Sequence, residues 1–165
     1  RMLRSDLCEE FARVRGFEWH VEFMSDSMAE VLDAVSFLTS LDLPYVFDHV
    51  AHAAPFHNAA DRAFSNLLAV LSNEEHAWIN LYSFYQSSKI GPPDYTDMID
   101  VVRSIIEARP DRVIWGSNWP HAGIAGPMPH DADLLDFLLG AAPEEDLRKQ
   151  ILAENPANLY GSRPI

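Results

Sequence analysis

Apolar residues recur along this chain in two rhythms, one close to every third or fourth position and one at every second. Leu3, Leu7, Phe11 and Val14 follow the helical rhythm, and Gly16 stops it, so residues 2–14 are predicted to be a helix. Residues 17–24 alternate, with Phe17, Trp19, Val21 and Phe23 on one face and Glu18, His20, Glu22 and Met24 on the other, which predicts a strand. Ser27-Met-Ala-Glu30 then has the spacing of a capping box, and Met28, Val31, Leu32, Val35 and Leu38 continue it as an apolar stripe to about residue 41. The same alternation repeats three more times. Strands are expected at 45–49, 77–83 and 112–115, and helices around 64–71, 95–106 and 134–139. Residues 50–57 and 84–94 read as loops, and a last helix opens at Pro143 with Leu147, Ile151 and Leu152 inward.

Four strand–helix units in succession give a parallel sheet with right-handed crossovers in an α/β domain. Two architectures accommodate them: an open doubly wound sheet, or four units of a (β/α)₈ barrel of the TIM type. The Gly-rich turn that cradles phosphate in nucleotide-binding sheets is absent, which weighs against the open sheet. No linker, repeat or low-complexity segment divides residues 1–165, so a single domain is expected. The helical pattern is already under way at Arg1-Met2 and reads as the middle of an element rather than a natural start.

Composition changes this picture in only one respect. A formal net charge of −13 and no basic run argue against nucleic acid as a partner. No apolar stretch approaches a membrane span, and no signal-peptide pattern opens the chain. The single cysteine, Cys8, fits a reducing compartment, so a cytoplasmic location is expected, and it reads as a small apolar filler.

The chemistry is expected where parallel strands end. After strand residues 112–115 come Ser117, Asn118, Trp119, Pro120 and His121, a polar and aromatic cluster. His49 follows the second strand with His52 nearby, and Tyr82, Ser83 and Tyr85 follow the third. Neighbouring strands bring these ends to one rim, the place where ligands bind in parallel folds. His49 and His121 are the imidazoles placed directly after strands, and imidazole serves metal binding or proton transfer near neutral pH. Strict alternation turns Asp48 away from His49, which makes it a structural acid. Tyr45, Trp78 and Trp115 are expected in the core, and Glu144 and Glu145 complement a helix N-terminus.

Four segments in order carry a family likeness. Arg112-Val-Ile-Trp-Gly-Ser-Asn-Trp-Pro-His121 resembles the eighth-strand signature of the amidohydrolase-related (amidohydrolase 2) family, which includes 2-pyrone-4,6-dicarboxylate lactonase. Pro44-Tyr-Val-Phe-Asp-His-Val50 resembles its fifth strand, Ala77-Trp-Ile-Asn-Leu-Tyr-Ser83 its sixth, and Glu154-Asn-Pro-Ala-Asn-Leu-Tyr-Gly161 its C-terminal ending. The resemblance implies the C-terminal half of a TIM-type barrel and a hydrolase that opens a lactone or similar carbonyl compound with activated water. It assigns His49 and Asn118 to catalysis and makes His49 a candidate ligand for a divalent metal, Zn or Mn. His121, His52, Trp119, Tyr82 and Tyr85 would border a small-molecule substrate.

Three departures qualify the likeness. Asn118 stands at the position of the eighth-strand acid, and Asn80 where relatives often carry Lys. The first-strand His-x-His pair is absent. A homodimer or a missing N-terminal half would then complete the barrel. The alternative is a catalytically inactive half-barrel that serves as a binding or assembly module. Relatives that bind dicarboxylates use rim arginines, whereas the equivalent loops here offer His52 and Gln86, so a less acidic substrate is expected.

Overall fold

In the computed structural model, residues 10, 11, 13, 17, 19–58, 60–122, 124 and 126–161 are described. They form one four-stranded, all-parallel sheet in sequential order: β1 (Val21–Phe23), β2 (Tyr45–Phe47), β3 (Ala77–Asn80) and β4 (Val113–Ile114). The register runs Val21 to Tyr45 to Ala77 and Phe47 to Ile79 to Val113, so the strand ends stay level. Helices α1 (Met28–Ser40), α2 (Arg62–Asn73), α4 (Ile99–Ala108) and α5 (Asp131–Ala141) follow the strands in turn, and short α3 (Phe84–Ser87) follows β3 directly. Sequential parallel strands, each returned by a helix, are the half-barrel arrangement expected from the sequence.

Alternation along the strands divides their side chains between two faces. Tyr45, Phe47, Ala77, Ile79 and Val113 join one large core with the helices. Val46, Trp78 and Ile114 face the other way and are covered by Leu159. Leu159 belongs to α7 (Asn155–Tyr160), and Asn155 anchors that helix by donating from Nδ2 to the carbonyls of Pro110 and Val113, both at 2.7 Å. The C-terminal segment therefore packs on the inner face of the sheet rather than trailing from it.

Several element boundaries differ from the sequence reading. The first strand is only Val21–Phe23, and Phe17 and Trp19 are 64% and 59% exposed. No neighbouring strand pairs that stretch, and alternation alone does not supply ladder bonds. The expected capping box forms: Ser27 Oγ accepts from the backbone N–H of Glu30, while Glu30 Oε2 accepts from Asp26 N–H. The final helix runs through α6 (Glu145–Lys149) and a π-helical turn (Gln150–Glu154) into α7. Widening there accommodates Pro156, which lacks an N–H and crowds the preceding turn. The helix predicted over residues 2–14, with Cys8, lies largely outside the described residues. Among the described residues no helix is long and apolar enough to cross a membrane.

Candidate active site

At the C-terminal end of β2 the chain leaves the strand through a turn that is left-handed at four successive residues. His49, Val50, Ala51 and His52 have φ of 53°, 46°, 52° and 57°. For L-residues other than glycine each such conformation is strained, and runs of them are rare. The alternation argument fails at this point, because β geometry ends at Asp48. Asp48 does point to the inner face, where it takes a hydrogen bond from the Tyr82 hydroxyl. The left-handed turn then swings His49 back against the same residue, with the His49 and Tyr82 rings 4.8 Å apart, edge to face. Asp48 and His49 therefore share Tyr82 as a neighbour.

This group is under-bonded. Asp48 is buried, yet its Oδ1 has no hydrogen-bond partner among the described residues, and the same holds for Nδ1 of His49. Buried polar atoms are nearly always paired, and Ser83 Oγ and Trp115 Nε1, after the two following strands, are unpartnered among the described residues as well. Burial, together with the negative charge of Glu22, pushes the Asp48 carboxyl up to about 6 despite the Tyr82 hydrogen bond. Burial and the neighbouring His52 lower the His49 pKa, which keeps that imidazole neutral at pH 7. His52 stacks on His49 at 6.0 Å between ring centres and is held by its Nε2, 2.6 Å from the carbonyl of Ser25.

At the end of β4, Trp115 Nε1 is also unpartnered, but the polar side chains beyond it are paired in series. Asn118 Nδ2 donates to the Tyr85 hydroxyl at 3.0 Å, Tyr85 meets His121 Nδ1 at 2.9 Å, and His121 Nε2 lies 3.0 Å from Asp131 Oδ1. His121 is 3% exposed, and both of its nitrogens are occupied. The expectation that it borders the substrate is therefore replaced by a position behind Tyr85. Asp131 was not among the candidates read from the sequence; its place in the first turn of α5 looks like ordinary dipole complementation. Trp119 projects outward, 75% exposed.

The two groups are joined through β3. Tyr82 belongs to the first and Tyr85 to the second, and α3, which carries Tyr85, packs against the His49–His52 turn. Gly116 lies beside them; a Cβ there would meet Asn80 Oδ1 and the Tyr82 ring at 3.9 Å, ordinary van der Waals contact. A cleft of about 340 Å³ adjoins Tyr85 and Gln86 and is walled by Pro92, Tyr95, Ile124 and Pro127. Among the described residues no group of three or more His, Cys, Asp or Glu could hold a metal ion. His49 and His52 alone do not make up a metal site.

A family model described as Amidohydrolase matches residues 2–162. A 4-sulfomuconolactone hydrolase of Hydrogenophaga intermedia is 33% identical over 144 residues, covering 86% of this chain and 46% of that protein. Its namesake from Rhizobium radiobacter is 32% identical over 161 residues, covering 93% and 52%. A crystal structure of an Agrobacterium tumefaciens protein in its apo form superposes with a TM-score of 0.81 at 29% identity, covering 98% of this chain and 57% of that one. The chain spans about half the length of the curated relatives it matches.

Proposed function

The chain belongs to the amidohydrolase family, and on that premise we propose that it carries the carboxyl-side half of a lactone-hydrolysing site. Opening a lactone requires a water oxygen to add to the ring carbonyl carbon while the water gives up a proton. The carbonyl–ring oxygen bond then breaks, and the released ring oxygen takes a proton. The chemistry calls for a donor at the carbonyl, an acceptor that orients the water, and a base. His49 is the carbonyl-side group and Asn118 the water-side group, with Tyr82, Tyr85, His52 and Trp119 around the substrate. An amide cannot take the water's proton. The acceptor in this chain that lies beside His49 without a partner is Asp48 Oδ1, and we assign it that role.

The observation that carries this reading is the pair of unpaired buried atoms, Asp48 Oδ1 and His49 Nδ1, at the strand end where parallel folds place their chemistry. The remaining strands, from further sequence of the same protein or from a second copy, complete the barrel beside β1 and β4. The strand-end loops offer His52 and Gln86 rather than arginines, which favours a neutral or weakly acidic lactone over a dicarboxylate.

Testing this needs the product of the complete gene, assayed by acid release on neutral sugar lactones and on dicarboxylate lactones side by side. Turnover of the neutral class, lost in His49→Gln, is the expected result. No turnover of any lactone by the wild type would leave the inactive half-barrel as the better reading.

A further inference from the structure

The hydrogen-bonded line from Asp131 to Asn118 has a direction, and that direction is set at its outer end. An ionised carboxylate only accepts, so His121 Nε2 must carry the proton it shares with Asp131 Oδ1 at 3.0 Å. In the Nε2-protonated tautomer Nδ1 presents a lone pair, which accepts a hydrogen bond from the Tyr85 hydroxyl at 2.9 Å. The Tyr85 oxygen is left as an acceptor, and the group that meets it at 3.0 Å is therefore Nδ2 of Asn118. Asn118, Tyr85 and His121 each donate one hydrogen along the line, and each donates it outward, toward Asp131.

We propose that Asp131 and His121 are positioning residues which, through Tyr85, lock the Asn118 carboxamide so that it offers Oδ1 rather than Nδ2 to the bound molecule. The proposal rests on the lactone-hydrolysing reading for the identity of that molecule. A fixed Oδ1 accepts a hydrogen bond from water and repels an oxyanion, so Asn118 aims the attacking water and takes no part in stabilising the carbonyl oxygen. The simpler account, a satisfied core histidine beside a helix-start acid, explains each contact singly. It does not explain why four groups on three separate segments are matched donor to acceptor without a break.

The inference predicts which variants act alike. In the product of the complete gene, Asp131→Ala and Tyr85→Phe each lower kcat roughly 10- to 100-fold with little change in KM, as supporting contacts commonly do. The double variant is no slower than Tyr85→Phe alone, because both cut one line. Asp131→Asn, whose amide oxygen still accepts, retains most of the activity. Nitrogen-15 NMR of His121 shows the Nε2-protonated tautomer in the wild type, and Asp131→Ala shifts it toward Nδ1. Losses that multiply in the double variant, or an Nδ1-protonated wild type, overturn the proposal. Should the protein hydrolyse no lactone, the functional reading falls, and the tautomer measurement still decides whether Asp131 sets the direction of the line.

Discussion

The ends of β2 and β4 face one another across β3 and differ in how their polar side chains beyond the strand are bonded. After β2, Asp48 is buried and His49 half-buried, each with a buried polar atom unpaired, and the backbone is left-handed from His49 to His52. After β4, Asn118 and His121 are the described non-glycine residues with positive φ, and although Trp115 Nε1 is unpartnered, the side chains from Asn118 run in an unbroken hydrogen-bonded line to Asp131. An unpaired buried group raises the free energy of the folded state, whereas a satisfied network rigidifies it. The β2 end thus holds reactive groups at a cost in stability, and the β4 end holds shape. Activity and stability should separate at the first and fall together at the second.

The largest effect tests that separation directly. His49→Gln is expected to lower kcat by at least about 100-fold, the scale of a lost polarising group, while leaving the urea midpoint unchanged or slightly higher. Tyr85→Phe, by contrast, strands His121 Nδ1 and Asn118 Nδ2 and should cost about 1–2 kcal/mol of stability alongside its kinetic loss. A His49→Gln protein destabilised as much as Tyr85→Phe would mean that His49 is a packing residue and the contrast is false.

Asp48 sharpens the comparison through pH. Its carboxyl sits at about 6 in the folded protein, above the ordinary value of 3.8, because burial disfavours the charged form. The folded state therefore binds this proton more readily than the unfolded state between those values, and stability contributed by the protonated acid is lost as pH rises through 6. Asp48→Asn keeps an acceptor for Tyr82 and removes the charge. At pH 7.5 it should be more stable than the wild type by about 1–2 kcal/mol, with the gap closing toward pH 4, while hydrolysis falls. A gap that persists unchanged at pH 4 would show that charge is not its source.

The repeating units, the sheet order and the helix-side core were legible because their periodicities are long and each burial face is continuous. His49, Asn118, Tyr82 and Tyr85 were legible as strand-end residues for the same reason. What the sequence concealed lies where regular geometry stops. Nothing in Asp48-His-Val-Ala-His52 contains the glycine or asparagine that normally signals a left-handed turn, so alternation was carried one residue too far and Asp48 was set aside. Asp131 was hidden for a different reason: a helix-start acid has a sufficient local explanation, and its partner His121 is ten residues earlier across a loop. The only available signal was the coincidence of a strand-end histidine with an acid opening the next helix.

The smallest effect concerns the left-handed turn itself. Ala51 and Ala53 are both fully buried and stand two residues apart, but Ala51 has φ 52° and ψ 32° whereas Ala53 has φ −61° and ψ 143°. Replacing either by glycine removes a buried methyl, about 0.8 kcal/mol, and gives the unfolded chain more freedom. Only at Ala51 does the change also relieve a left-handed conformation, which is worth roughly 1–2 kcal/mol for an L-residue. Ala51→Gly should therefore be more stable than Ala53→Gly by about 1 kcal/mol or somewhat more, measured by urea unfolding, and should lie close to the wild type. Equal destabilisation by the two would mean that the turn after β2 carries no strain, and the contrast between the strand ends would then rest on the unpaired atoms alone.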